Sequence, residues 1–245
     1  MSHIILARHG QASLLERDYD KLCANGETQA RLLGEYWARR GVVFSRAYSG
    51  PRLRQRETAR LVADAYRSAG VDFPETVVMS EFDEYQAEAA LRECLPQLLQ
   101  VNAEIRELRC AYDTSSGTGD RRKTFQKLFE AVIGKWVAGE VTAAGVESWD
   151  DFCLRVERGL SQVVRDTPAA ASAVIFTSAG TIGAAMRRAL HLSSEVMLQV
   201  TWRLWNASFS EFLASASASI SMDRFTLSTF NAHPHLDGDG LLTYR

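Results

Sequence analysis

Residues 4–7 form an unbroken apolar run that ends on Arg8, His9 and Gly10. Short runs of this kind recur along the chain and alternate with segments whose apolar positions repeat at helical spacing. That alternation predicts βα units and a largely parallel sheet. The expected strands are Ile4–Ala7, Val42–Tyr48, Thr76–Met79, Ala173–Thr177, Ser208–Ala214 and Arg224–Phe230. A helix is expected over Gly26–Arg40, with Ala30, Leu33 and Trp37 on one face, and a second over residues 53–68. Ser148 stands three residues before Asp151, the capping-box spacing, and should open a helix through Arg165. The stretch "ASASASIS" near the C-terminal end reads as a β-turn between two antiparallel strands.

The segment from Tyr85 to Val146 breaks this rhythm. It carries two helical patterns, Glu88–Cys110 and Arg121–Ala138, separated by "YDTSSGTGD". A linker so small, polar and glycine-containing is expected to be mobile. The segment reads as a helical cap inserted over the carboxyl end of the sheet, or as ordinary helices packed on a sheet face. Residues 167–186 hold no charge and are long enough to span a bilayer, but they contain a proline, two glycines and several hydroxyls. A buried strand, a turn and a helix start are the better reading.

Composition adds limits. The 245 residues suit one domain with an insertion, and a net charge of −2 offers no general attraction to nucleic acid or to an anionic membrane. Any anion site must therefore be local. Cys23, Cys94, Cys110 and Cys153 show no paired spacing and read as reduced thiols of a cytoplasmic protein. The first strand begins too early to leave room for a signal peptide.

In open α/β sheets ligands bind at the carboxyl ends of strands. Four consecutive strand ends here carry groups suited to phosphate. The first ends in Arg8-His9-Gly10. The second is followed by "SGPRLRQRETA", with Ser49 at the strand end and Arg54 on the first helical turn. A helix N-terminus favours anions, and arginine adds a bidentate fork. The third leads into "SEFDEY", where Glu81 could protonate a leaving oxygen and Asp83 and Glu84 are rivals for the same task. The fourth leads through Ser178, Ala179 and Gly180 into a helix.

With these motifs in order, the sequence resembles the histidine phosphatase superfamily, in the branch that includes the cofactor-dependent phosphoglycerate mutases. The matching residues are the opening Arg8-His9-Gly10; Leu22, Gly26, Gln29 and Ala30; Ser49; and Arg54, Thr58 and Ala59. Further matches are Met79-Ser80-Glu81, Glu147-Ser148, Asn206-Ala207-Ser208 and His235-Leu236. The resemblance implies a three-layer α/β/α fold with an inserted cap, and a metal-independent phosphoryl transfer without cofactor. His9 would be the nucleophile that becomes phosphohistidine. Arg8 and Arg54, with Ser49 and Gly180, would bind the phosphoryl group. Glu81 would be the general acid and then base, which requires a raised pKa.

Ala179 departs from the family, whose members read Ser-His-Gly after the fourth strand and use that second histidine as a donor. Losing one such donor typically lowers the rate about 10²–10³-fold. The expected function is therefore weak hydrolysis of a small phosphate monoester, with inorganic phosphate as product. A mutase-type transfer and a non-catalytic phospholigand-binding protein are the alternatives. No nucleic acid or membrane partner is expected, and homo-oligomerisation stays open. Weaker signals yield to blander readings. Gly180 to Gly183 gives only part of a dinucleotide-binding pattern, and "HPHLDGDG" lacks the spacing of a calcium loop. Arg121-Arg122-Lys123 reads as a solvated helix start or as help for an anionic substrate.

Overall fold

The structure is a computed structural model that describes residues 1–13, 20–216, 222–238 and 240–244. Two compact units emerge, one built from Met1–Glu84 with Leu154–Arg245 and the other from Tyr85–Cys153.

The larger unit is built on a six-stranded mixed sheet in the order β3-β2-β4-β1-β5-β6. Its strands are β1 (Ser2–Arg8), β2 (Arg46–Ser49), β3 (Thr76–Val78), β4 (Ser172–Thr177), β5 (Phe209–Ala216) and β6 (Met222–Ala232). Strands β1 to β4 run parallel, and β5 is antiparallel to both β1 and β6. Strand register sorts the side chains between the two faces. Ile5, Ala7, Ala47, Val174 and Phe176 share one face with Phe209. They pack with Leu33 and Trp37 of α1 (Ala24–Arg39) and with Val62 and Tyr66 of α2 (Leu53–Ser68). The alternate residues Ile4, Leu6 and Ile175 are also fully buried, and α7 (Ala179–Leu190) contacts β1 and β6. Such double burial explains why β1 and β4 read as continuous apolar runs.

The expected strand at Val42–Tyr48 is shorter than its apolar pattern. Phe44 is buried because its ring meets Trp37 at 5.2 Å, and the Val42 carbonyl accepts from the Tyr66 hydroxyl at 2.9 Å. These residues pack on helices, and sheet pairing begins only at Arg46. The expected turn in "ASASASIS" falls largely outside the described residues. The uncharged stretch 167–186 contains β4 and the first turns of α7, and among the described residues no helix is long and apolar enough to cross a membrane. The four cysteines are free thiols.

The smaller unit contains α3 (Ala87–Val101), α4 (Ala103–Thr114) and α5 (Thr118–Val137). The single pattern expected over Glu88–Cys110 is thus two helices. Asn102 leaves the helical region, and its side chain accepts from the Ile105 amide at 3.0 Å to cap α4. The expected linker Tyr112–Asp120 shrinks to residues 115–117, where Gly117 takes φ 87°. Tyr85 at one end of this unit meets Trp149 at 5.5 Å and Phe152 at 5.7 Å at the other, with Trp136 beside them. An aromatic cluster therefore closes the insertion on itself. Helix α6 (Trp149–Asp166) begins after Ser148, whose hydroxyl accepts from the Asp151 amide at 3.1 Å. The last helix is α8 (Ser194–Thr201).

Candidate active site

Strand β1 releases its backbone at His9, and several elements hold the turn. The His9 amide donates to the Thr177 carbonyl of β4 at 2.8 Å, while its carbonyl accepts from the Ala207 amide at 3.1 Å and from Asn206 Nδ2 at 3.4 Å. Gly10 donates to Thr58 Oγ1 at 3.1 Å, and that hydroxyl donates to the Arg54 carbonyl at 2.7 Å. Gln29, fully buried, accepts from the Gln11 amide at 2.8 Å and donates to Leu241 O and Thr243 Oγ1 near the C-terminal end. The matched residues Thr58, Gln29 and Asn206 therefore all serve the loop that presents His9.

That loop decides which nitrogen of His9 carries the proton. Nδ1 lies 2.7 Å from the Gly10 carbonyl, which can only accept, so Nδ1 carries the proton. Nε2 holds the lone pair, and Arg54 Nε donates to it at 3.1 Å. Burial, and then the guanidinium groups of Arg54 and Arg8, hold the His9 pKa well below its ordinary value. The imidazole is therefore neutral at neutral pH.

Arg8 and Arg54 are both buried beside it. Arg8 Nη1 donates to the Leu204 carbonyl, and Arg54 Nη1 donates to Asp20 Oδ1 at 2.7 Å. The second oxygen of Asp20 accepts from the Leu53 amide at 2.8 Å. Asp20 thus binds the first turn of α2 and its arginine together. Ser49 lies fully buried at the end of β2, where its hydroxyl donates to the Gly50 carbonyl at 2.8 Å.

The three acids after β3 take different positions. Glu81 packs its Cβ against α6 at Gly159, where an added methyl would come within 2.6 Å of it, and its carboxylate accepts from Ser80 Oγ at 3.3 Å. Asp83 pairs with Arg52 Nε at 2.5 Å. Glu84 Oε2 accepts from the Gly180 amide at 3.1 Å, at the first turn of α7. The Gly180 amide, expected among the phosphate ligands, is thus engaged by a carboxylate. Ala179 opens the same helix with a methyl group that donates nothing.

Two further residues of the site, Asp20 and Gln55, carry no signal in the sequence. Gln55 is fully buried; its Nε2 donates to Ser178 Oγ at 2.8 Å and to the Phe82 carbonyl at 3.3 Å, and its Oε1 accepts from the Arg52 amide at 3.0 Å. Neither residue has a spacing that marks it, because each acts across the fold. Among the described residues no group of three histidine, cysteine or acidic side chains could hold a metal ion.

The sequence matches the histidine phosphatase superfamily (branch 1) over residues 4–93 and 87–219. Comparison with curated proteins gives no match. Among solved structures, a mycobacterial glucosyl-3-phosphoglycerate phosphatase is similar at 17% identity, covering 94% of this chain and 98% of its own, with a TM-score of 0.62. The phosphoserine phosphatase of Entamoeba histolytica, in complex with 3-phosphoglyceric acid, is 18% identical over 96% of this chain and 100% of its own, with a TM-score of 0.61. YhfR from Bacillus stearothermophilus is 14% identical over 96% and 99%, with a TM-score of 0.64. At these identities the structures speak for the fold, and the sequence match speaks for the family. This chain belongs to branch 1 of the histidine phosphatase superfamily.

Proposed function

We propose that this protein hydrolyses small phosphate monoesters through a phosphohistidine formed on His9. The observation that carries the reading is the Nδ1 bond to Gly10 O, which leaves the buried Nε2 as the nucleophilic atom. Nε2 attacks phosphorus and the ester oxygen leaves with a proton from a carboxyl of the 81–84 segment. Water then attacks the phosphohistidine, gives up its proton, and Nε2 regains its lone pair as phosphate departs. Arg8 and Arg54 carry the phosphoryl charge, since such transfer rests chiefly on positioning and electrostatic stabilisation. Related structures that bind phosphoserine and 3-phosphoglyceric acid support a small phosphorylated substrate.

Phosphate release from a panel of monoesters, with 3-phosphoglycerate isomerisation followed alongside, tests the reading. Release that survives EDTA and is abolished in His9→Ala is expected. Isomerisation without release would make the protein a mutase. Ala179 favours a second reading, a phospholigand-binding protein, which would bind phosphate through Arg8 and Arg54 and release none.

A further inference from the structure

Three carboxamide side chains join the loop that carries His9 to residues 240–243. Asn25 Nδ2 donates to Gln11 Oε1 at 2.8 Å and to the Gly240 carbonyl at 3.2 Å. Gln29 accepts from the Gln11 amide at 2.8 Å and donates to the Leu241 carbonyl at 2.7 Å and to Thr243 Oγ1 at 2.9 Å. Asn206 Nδ2 donates to the His9 carbonyl at 3.4 Å, and its Oδ1 accepts from Thr243 Oγ1 at 3.1 Å. Two of the three therefore meet at one hydroxyl. We propose that Thr243 is a positioning residue for His9, its hydroxyl locking both buried carboxamides in the orientation that holds the His9 loop. That role rests on the hydrolase reading above, in which His9 is the nucleophile.

The direction of each bond is set by groups that can act in only one way. The Gln11 amide can only donate and the Leu241 carbonyl can only accept, so Gln29 turns its oxygen to the loop and its NH2 to residues 241–243. The His9 carbonyl can only accept, so Asn206 turns its NH2 to the loop and its oxygen to Thr243. Thr243 thus faces an N–H on one side and an oxygen on the other, and a hydroxyl accepts and donates at once. The Thr243 carbonyl accepts from the Asn206 amide at 2.7 Å, which keeps that hydroxyl in place. Gln29 and Asn206 are both buried, so a partner lost at Thr243 is costly to leave unreplaced.

One peptide plane carries the effect to the imidazole. The Gln11 N–H and the Gly10 C=O belong to the same rigid unit. Gln29 holds its N–H end, and its C=O end lies 2.7 Å from His9 Nδ1. Thr243 thereby helps to aim the carbonyl that keeps the proton on Nδ1 and leaves Nε2 its lone pair. Without the hydroxyl, Gln29 loses one acceptor and Asn206 loses its donor. The plane is then free to tilt, and the ring proton is shared between Nδ1 and Nε2.

Thr243→Val removes the hydroxyl and keeps the shape, whereas Thr243→Ser keeps the hydroxyl. For p-nitrophenyl phosphate, kcat should fall about 10–10²-fold in Thr243→Val with KM little changed, because aim rather than binding is lost. Thr243→Ser should recover most of the rate. Nitrogen NMR of protein carrying isotope-labelled histidine, with the His9 signals identified by their loss in His9→Ala, reads the tautomer without any substrate. The parent and Thr243→Ser should show a protonated Nδ1 and an unprotonated Nε2; in Thr243→Val the two shifts should draw together. Thr243→Ala, with less bulk to seat, should give the same mixture. An unchanged His9 tautomer in folded Thr243→Val and Thr243→Ala, or a rate that Thr243→Ser fails to recover, would overturn the assignment. A parent that turns over neither p-nitrophenyl phosphate nor phosphoserine would overturn the hydrolase reading instead, while the ring-nitrogen shifts would still decide whether Thr243 positions His9.

Discussion

A Cβ built on Gly10 would lie 2.3 Å from the carbonyl oxygen of Gly26, and one built on Gly26 would lie 2.1 Å from the carbonyl of Gln11. The loop carrying His9 is therefore seated backbone to backbone on the first turn of α1, an approach that any side chain would prevent.

Gly26→Ala should consequently destabilise the protein by about 1–3 kcal/mol, the range for a side chain forced into filled space. Gly134→Ala, in α5 with nothing within 4 Å of the new methyl, should instead stabilise by about 0.5–1 kcal/mol. Urea unfolding of the two variants measures both signs. A Gly26→Ala protein as stable as the parent would show that the loop can move aside.

Asp20 orients Arg54 through a charge-assisted bond of a kind that contributes about 1.5–3 kcal/mol. Asp20→Ala should lower kcat/KM for a phosphate monoester about 10-fold or more, chiefly through kcat, because the guanidinium loses its fixed aim at His9. Asp20→Asn retains an acceptor and should fall between the two. Steady-state kinetics decide; an unchanged kcat in Asp20→Ala would reduce the carboxylate to a cap on α2.

Ala179→His restores a donor on the first turn of α7. Turnover should rise about 10²-fold, at the lower end for a preorganised donor. The gain should vanish in the His9→Ala, Ala179→His double variant. A folded, phosphate-binding Ala179→His protein with no gain would favour the binding-protein reading.

Stability should fall in mild acid. Burial holds the His235 pKa down at about 4 and also depresses that of His9, so the unfolded chain takes up protons that the folded chain refuses. The histidine contribution is complete above about pH 6.5 and is lost as pH falls from there toward 4. For His235 the full loss amounts to about 3 kcal/mol. Its ring stacks at 6.4 Å on Phe209, so His235→Phe preserves the packing and should flatten the pH dependence of urea unfolding between about pH 7 and 5. An equally steep dependence in that variant would assign the effect to other groups.

The local patterns of the chain were enough to determine the α/β class, the parallel β1–β4 frame and the helix after each of β1, β2 and β4. Apolar periodicity, strand-end residues and ordered motifs act within a few positions, so they are written into consecutive letters. Tertiary structure decided the rest. Val42 and Phe44 look like strand because burial against α1 and α2 selects the same residue types as burial in a sheet. Asn102 breaks one helical pattern in two because its side chain caps the next helix, a choice that periodicity does not record. Asp20, Gln55 and Glu84 carry no distinguishing neighbours. Each is set apart by a partner 33 or more positions away in the chain: Leu53 and Arg54 for Asp20, Ser178 for Gln55 and Gly180 for Glu84. Three acids within four residues are equivalent as letters, and only the fold turns one toward α6, one toward Arg52 and one toward the head of α7.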